Sequence, residues 1–324
     1  MFPLIEVAGL TKRYGDKLAL DTVHFTIGEG EVVGLLGLNG AGKSTTMNIL
    51  TGCVSATGGR VSIGGFDVAN EPKQAKRITG YMPEQPAFYP EMKVRDHLDF
   101  ICGLKGVTAK RKEHMAELCR LVGLAGMEGR MVRNLSKGYR QRLGFAQALV
   151  GYPKVIILDE PTVGLDPSQI IEMRRLIRDS SERNTVIVSS HILSEIQAMC
   201  GRVIVLHKGK VVADCRTDEL AGGFAPGSRV RVRVRGGAEE IRAALLGARG
   251  MGNVTLLAQQ EPGAWDFSLE SAGGADIRVP VFEALAAAGL PLMEALSIGE
   301  GSASLEEAFL SLAAGSAGEV GDTP

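Results

Sequence analysis

The spacing of apolar and polar positions changes period several times along the chain, and the changes mark out its elements. "LIEVAGLTKRYGDKLALDTVHFTI" alternates over residues 4–11 and 18–27 around the turn-like "YGDK". That is the pattern of an antiparallel strand pair. "EVVGLL", residues 31–36, is a short unbroken apolar run, as expected for a strand buried on both faces of a parallel sheet. A Gly-rich loop and a helix over residues 44–51 follow, and "RVSIGGFDV" and "RITGYM" predict further short strands. From Val94 to Arg133 the spacing turns helical, in "VRDHLDFICGL" and "KRKEHMAELCRLVGL". "NLSKGYRQRLGFAQAL" predicts one more helix, with Leu143, Ala146 and Val150 on one stripe. "KVIILDEP", "TVIVSSH" and "RVIVLHKGKVVADC" read as strands, separated by helices over residues 167–183 and 193–199. Strands alternating with helices imply an α/β fold, a largely parallel sheet flanked by helices.

The pattern changes at "LAGGFAPGSR", a Gly/Ala/Pro stretch that reads as a linker and ends a first domain at about residue 222. Beyond it "RVRVRVR" alternates strictly and places Arg229, Arg231, Arg233 and Arg235 on one face, expected to be solvated. The segments that follow predict a small two-layer α+β domain of βαββαβ order over residues 223–314. A capping box in "SLEE", with Ser304 at the N-cap and Glu307 three residues on, predicts its last helix. Residues 315–324 are expected to be disordered.

Composition narrows the function class. The 324 residues are 45% hydrophobic and 23% charged, with a formal net charge of −1. Nucleic-acid binding therefore has no electrostatic support. Five cysteines at 53, 102, 119, 200 and 215 have no metal-ligand spacing and read as reduced, cytoplasmic thiols. The N-terminus lacks the basic and apolar regions of a signal peptide. No run approaches the roughly 18 apolar residues that span a bilayer, so any spanning is expected of another chain.

The chemistry starts with "GLNGAGKS", which fits G-x-x-x-x-G-K-[ST] between a predicted strand and a predicted helix. Its residues Gly37, Leu38, Asn39, Gly40, Ala41, Gly42, Lys43 and Ser44, with Thr45 next, form a loop whose N–H groups turn onto phosphates. Lys43 reaches the β and γ phosphates of a nucleotide, the Ser44 hydroxyl coordinates Mg²⁺, and the helix dipole adds positive potential. "VIILDE" ends a buried strand in two acids at the edge where parallel sheets gather ligands. There Asp159 is placed to hold Mg²⁺ through water and Glu160 to polarise an attacking water. In "NLSKGYRQRL", Ser136 reads as an N-cap and Gly138 leaves the backbone bare, a helix start built for an anion.

A phosphate loop, "LSKGYRQR", "LDEPTVGLD" and "SSH" in this order resemble the ATP-binding subunit of ABC transporters over about residues 4–220. The resemblance implies a P-loop NTPase fold with an antiparallel β subdomain and a helical subdomain over about residues 94–150. It implies two copies packed head to tail around two ATP molecules, each signature segment capping the γ-phosphate held by the other copy. By the same resemblance Tyr14 stacks on adenine, and Ala19 lines the base. Ser136 and Gly138 contact phosphate, Asp166 lies in the loop coupling the two sites, and His191 senses the γ-phosphate. Two motifs depart from the family pattern. Glu84, followed by Gln85, stands where a Mg²⁺-contacting Gln is usual, and a carboxylate also ligates Mg²⁺. Lys137 and Tyr139 replace Gly and Gln in the signature.

The C-terminal appendage ending in "SLEEAFLSLAA" resembles the tail of ATPases that partner ABC-2 type integral membrane permeases, mostly exporters of the multidrug or gliding-motility kind. The implied protein is an ATPase using ATP and Mg²⁺, peripheral on the cytoplasmic face of the cell membrane, with no nucleic-acid partner. The alternative is a non-transport ABC ATPase acting on ribosomes or DNA. Against it stand the single "GAGKS" and single "LSKG", and the lack of a heptad run between Ser44 and Ser136.

Overall fold

A computed structural model of the protein describes residues 3–217, 229–261 and 263–297. The linker stretch up to residue 228, the helix expected at Ser304 and the tail 315–324 lie outside them. The described residues divide into two compact units after Arg216.

Two sheets build the first unit. β1 (Ile5–Tyr14) and β2 (Lys17–Ile27) pair antiparallel, from Ile5 opposite Ile27 to Tyr14 opposite Lys17. β4 (Gly58–Ile63) joins the other edge of β1 and turns through Gly64 and Gly65 into the two-residue β5 (Phe66–Asp67). Both turn glycines have positive φ, 59° and 84°, which splits the single strand expected from "RVSIGGFDV" into a hairpin. The second sheet has the order β10-β9-β3-β8-β7-β6. Its strands are β3 (Val32–Leu36), β6 (Thr79–Met82), β7 (Val155–Leu158), β8 (Thr185–Ser190), β9 (Arg202–His207) and β10 (Lys210–Arg216). All neighbours are parallel except β10, which closes the edge antiparallel to β9.

Helix α1 (Lys43–Leu50) lies between the sheets. Its Met47, Ile49 and Leu50 share one buried cluster with Val7, Leu20 and Ile27 of the first sheet and Val33, Ile157 and Ile187 of the second. Each such side chain contributes about 1.5–3 kcal/mol on burial. The phosphate loop is thus the exposed start of a helix whose rear is locked into the core.

A helical insertion follows β6: α3 (Val94–Leu104), α4 (Arg111–Leu121), a 3₁₀ turn (Val132–Asn134) and α5 (Lys137–Leu149). His97 Nε2 meets Gln147 Oε1 at 2.9 Å and joins α3 to α5. His114 Nε2 accepts the Gly151 N–H at 3.1 Å. Burial holds both imidazoles below their usual range. α5 returns onto the main sheet, where a Cβ at Gly80 of β6 would collide with the Ala148 carbonyl. α6 (Pro167–Ser180) and α7 (Leu193–Met199) complete the unit, and Ile196 of α7 fills the space left by the absent side chain of Gly34. One helix has no counterpart in the sequence reading: α2 (Pro72–Arg77), with Pro at its start, buries only Ala75, too little to show a period.

The second unit runs β11 (Arg229–Arg235), α8 (Ala238–Leu246), β12 (Met251–Glu261), β13 (Ala264–Ser271), α9 (Arg278–Ala287) and β14 (Leu292–Ser297). The order is βαββαβ, with an antiparallel sheet β12-β13-β11-β14, the split βαβ arrangement. Val230, Val232 and Val234 pack with Ile241, Leu245, Val281 and Leu285 of the two helices. On the opposite face, Arg231 and Arg233 are not freely solvated as expected. Asp266, opposite Arg233 in register and 1% exposed, accepts Arg233 Nε at 2.7 Å and Arg231 Nη2 at 2.6 Å. Strand alternation explains it: with Phe267 and Leu269 committed to the core, Asp266 has to face the arginines. The hydrogen bond from Arg233, then that from Arg231, holds its carboxyl below the usual range against the effect of burial.

Candidate active site

A cleft of about 350 Å³ opens over the phosphate loop. It is lined by Tyr14, Ala19, Leu38, Asn39, Gly40, Gly42, Lys43, Ser44, Thr45, Glu84, Glu160 and His191, with Lys17 and Val163 in addition. Gly42 is the N-cap of α1 with φ 111° and offers no side-chain cap, so the first N–H groups of that helix face the loop uncovered. A Cβ on Gly42 would come within 2.7 Å of Leu20, and one on Gly37 within 2.7 Å of the Leu206 carbonyl. Gly37 is needed for close backbone approach, and Gly42 for its left-handed conformation as well. Gly37 and Ala41 shape the loop from behind. The Gly37 carbonyl accepts the Lys43 ammonium at 2.6 Å, and the Ala41 carbonyl accepts the Gly209 N–H at 2.9 Å.

Glu160 is the centre of the polar constellation. Its Oε1 lies 3.4 Å from Lys43 Nζ and its Oε2 2.9 Å from His191 Nδ1. Lys43 and Glu160 are buried, while His191 stays partly open to solvent. The backbone of Glu160 is left-handed, φ 48°, unusual for a residue with a side chain and the kind of strain that clusters at active sites. Ser189, at the end of β8, cross-links the two acids after β7: its hydroxyl donates to Asp159 Oδ1 at 2.6 Å and accepts the Glu160 N–H at 2.8 Å. Burial, reinforced by the Asp159 charge, pushes the Tyr81 phenol on β6 well above its usual range. Ser189 was not singled out from the sequence. The signal was a polar pair ending a wholly buried strand, which burial tolerates only with partners.

Ser136, Gly138 and Asp166 are not among the residues lining this cleft. Ser136 caps α5, accepting the Tyr139 N–H at 3.4 Å, and the first turn of that helix carries no acid. Gly138 is buried, and a Cβ there would strike the Gln169 side chain within 2.8 Å. The Lys137 ammonium lies over Gly164, whose left-handed backbone (φ 70°) disfavours a side chain at that position. The signature and the loop after β7 therefore interlock within one chain, which gives the lysine a packing role. Nothing in the structure explains Tyr139. Asp166 caps α6, its Oδ1 accepting the Gln169 N–H at 2.9 Å and the Ser168 hydroxyl at 2.7 Å, and the Ser168 bond most strongly keeps its carboxyl below the usual range.

The donors available to a metal are oxygens. Ser44 and Glu84 line the cleft, Gln85 does not, and Asp159 stands behind Glu160. Among the described residues no group of three or more His, Cys, Asp or Glu is gathered for a metal. That set suits Mg²⁺, which takes one or two protein oxygens and completes its shell with phosphate and water.

The ABC transporter family model matches residues 20–163. The bacitracin transport ATP-binding protein BcrA of Bacillus licheniformis is 39% identical over 222 residues, 68% of this chain and 72% of that protein. This chain belongs to the ATP-binding subunits of ABC transporters. A second relative of this ABC ATPase, the lantibiotic transport ATP-binding protein SrtF of Streptococcus pyogenes, is 37% identical over 66% of the chain and 92% of its own length. A solved ATP-binding subunit of an ABC transporter superposes with a TM-score of 0.63 at 31% identity, over 68% of this chain and 93% of the other. A dimeric ATP-binding cassette in a post-hydrolysis state with ADP and phosphate gives 0.61 at 25% identity, over 66% and 98%. The ABC ATPase thus binds and hydrolyses ATP, and nothing among these relatives speaks for a ribosome- or DNA-acting ATPase.

Proposed function

We propose that two copies of this ABC ATPase close head to tail over two ATP molecules, and that their closing and reopening drives export through a separate integral permease of the ABC-2 type. The observation that carries the reading is the placing of Ser136: the exposed N-cap of an acid-free helix start that lies outside its own chain's cleft, suited to a phosphate held by another copy. The transport names of BcrA and SrtF and the dimeric cassette support it. Among the described residues no helix is long and apolar enough to cross a membrane, so the reading assigns the spanning to the permease and this chain to its cytoplasmic face.

In this reading Tyr14 and Ala19 receive the adenine. The N–H groups of residues 38–45 and the Lys43 ammonium grip the β and γ phosphates. Ser44, Glu84 and, through water, Asp159 would hold Mg²⁺, which would supply neutralising charge to the phosphates. Glu160 takes the proton of the attacking water, and His191 fixes the carboxylate that does so and reaches toward the γ-phosphate. Work comes from the difference in ATP affinity between closed and open dimers.

Removing the base tests the site. Glu160→Gln is expected to slow hydrolysis by about 10²–10⁴-fold and to trap an ATP-bound dimer visible by light scattering. Hydrolysis at the wild-type rate would sink the assignment. The permease is tested by capturing the tagged chain from solubilised membranes. A polytopic membrane protein is expected to come with it, and ribosomes without any such protein would overturn the transport reading.

A further inference from the structure

The proposed mechanism leaves one buried carboxylate near the active site without a task. Glu195, on α7, is 5% exposed. Its Oε2 accepts the Thr162 hydroxyl at 2.6 Å and the Ser190 hydroxyl at 3.1 Å, and Ser190 Oγ in turn accepts the Ile192 N–H at 3.0 Å. Its Oε1 faces Arg174 Nη2 of α6 at 3.9 Å. Arg174 Nε is buried without a hydrogen-bond partner. Thr162 stands two residues after Glu160, and Ser190 immediately before His191. One carboxylate therefore pins the backbone beside each member of that pair.

We propose that Glu195 is a positioning residue for ATP hydrolysis. It holds the segments around Thr162 and Ser190 at the spacing that keeps Glu160 Oε2 and His191 Nδ1 2.9 Å apart. Through Arg174 it also feels displacement of α6, the helix that Asp166 caps. The left-handed backbone of Glu160 makes such support necessary, because a conformation of that kind persists only where its surroundings over-determine it. The support has to be a carboxylate. Two hydroxyls donate to one oxygen, and the Arg174 guanidinium forms a 3.9 Å ion pair with the other, so each oxygen faces a donor group and carries negative charge toward it. A glutamine of the same shape has one acceptor, and whichever way it turns, an NH₂ meets a donor: Arg174 on one side, or hydroxyls that must reverse on the other. No atom of Glu195 lines the nucleotide cleft, so its loss is expected to spare binding and act on turnover.

The inference rests on Glu160 and His191 being the catalytic pair, and the test separates the two. Steady-state ATP hydrolysis is measured on the purified full chain. Glu195→Gln is expected to lower kcat by about tenfold to hundredfold, with KM for ATP within about twofold of wild type and the melting temperature nearly kept. Arg174→Gln is expected to lower kcat as well, and the double variant to be no slower than Glu195→Gln alone. Should Glu195→Gln not fold, Arg174→Gln and Thr162→Val carry the same expectation. Wild-type kcat in the folded variants, a rise in KM alone, or losses that multiply would each overturn the role. Glu160→Gln serves as reference. If it hydrolyses normally, the catalytic pair is wrong. If it is dead while Glu195→Gln turns over normally, only the role of Glu195 falls.

Discussion

At the scale of single residues, the carboxylates of this chain do different work according to what faces them. Asp266 is the clearest structural case. Its carboxyl is held below the usual range, so the folded chain takes up that proton at lower pH than the unfolded chain. The stabilisation is complete above the unfolded value of about 3.9 and is lost as pH falls through the lower folded value. Asp266→Asn is therefore expected to weaken the C-terminal unit in neutral buffer, with the gap to wild type closing below about pH 4. Denaturant unfolding at the two pH values measures it, and a constant gap contradicts the ion-pair account. The sequence did not show this pairing, because Asp266 and its arginines sit on different strands and meet only through register. Ser189 and Glu195 were hidden for the same reason. Lys43, Ser44, Asp159 and Glu160 could be named from the sequence because each sits in a short motif whose spacing the chemistry itself requires, whereas His191 was named only through the family resemblance.

Elements bring those residues together, and their closest approach is set where a side chain is missing. α5 comes down on β6 at Gly80, where an added methyl would run into the Ala148 carbonyl, backbone that is not free to yield. Gly80→Ala is expected to cost about 1–3 kcal/mol and to shift α5, with Ser136 at its head, away from the sheet. A melting temperature equal to wild type would mean that the two elements slide without penalty. The long periodic elements were legible in the pattern: α3, α5 and the buried strands β3, β7 and β8. α2 was not, since six residues with one buried side chain carry no period. Nor was the β4–β5 hairpin, which depends on the left-handed conformations of Gly64 and Gly65.

For the whole molecule, the proposed head-to-tail pair makes a prediction that a self-sufficient monomer does not. Lys43→Ala removes the phosphate grip and Ser136→Arg blocks the signature, so each variant alone is expected to be inactive. In a mixed pair both lesions fall in one composite site and leave the other whole. Mixing the two dead chains is therefore expected to restore hydrolysis. Continued silence, with mixed pairs demonstrated by differential tags, argues that each chain uses its own Ser136.

The left-handed backbone at Glu160 bears on how such a chain changes under selection. Glycine adopts that conformation at no cost, whereas glutamate holds it against its own preference. A library screened for heat resistance alone should thus enrich Gly at position 160 and fill with sturdy, idle chains. Ranking variants by folding would discard the working enzyme, and only a screen that scores turnover alongside melting would recover it.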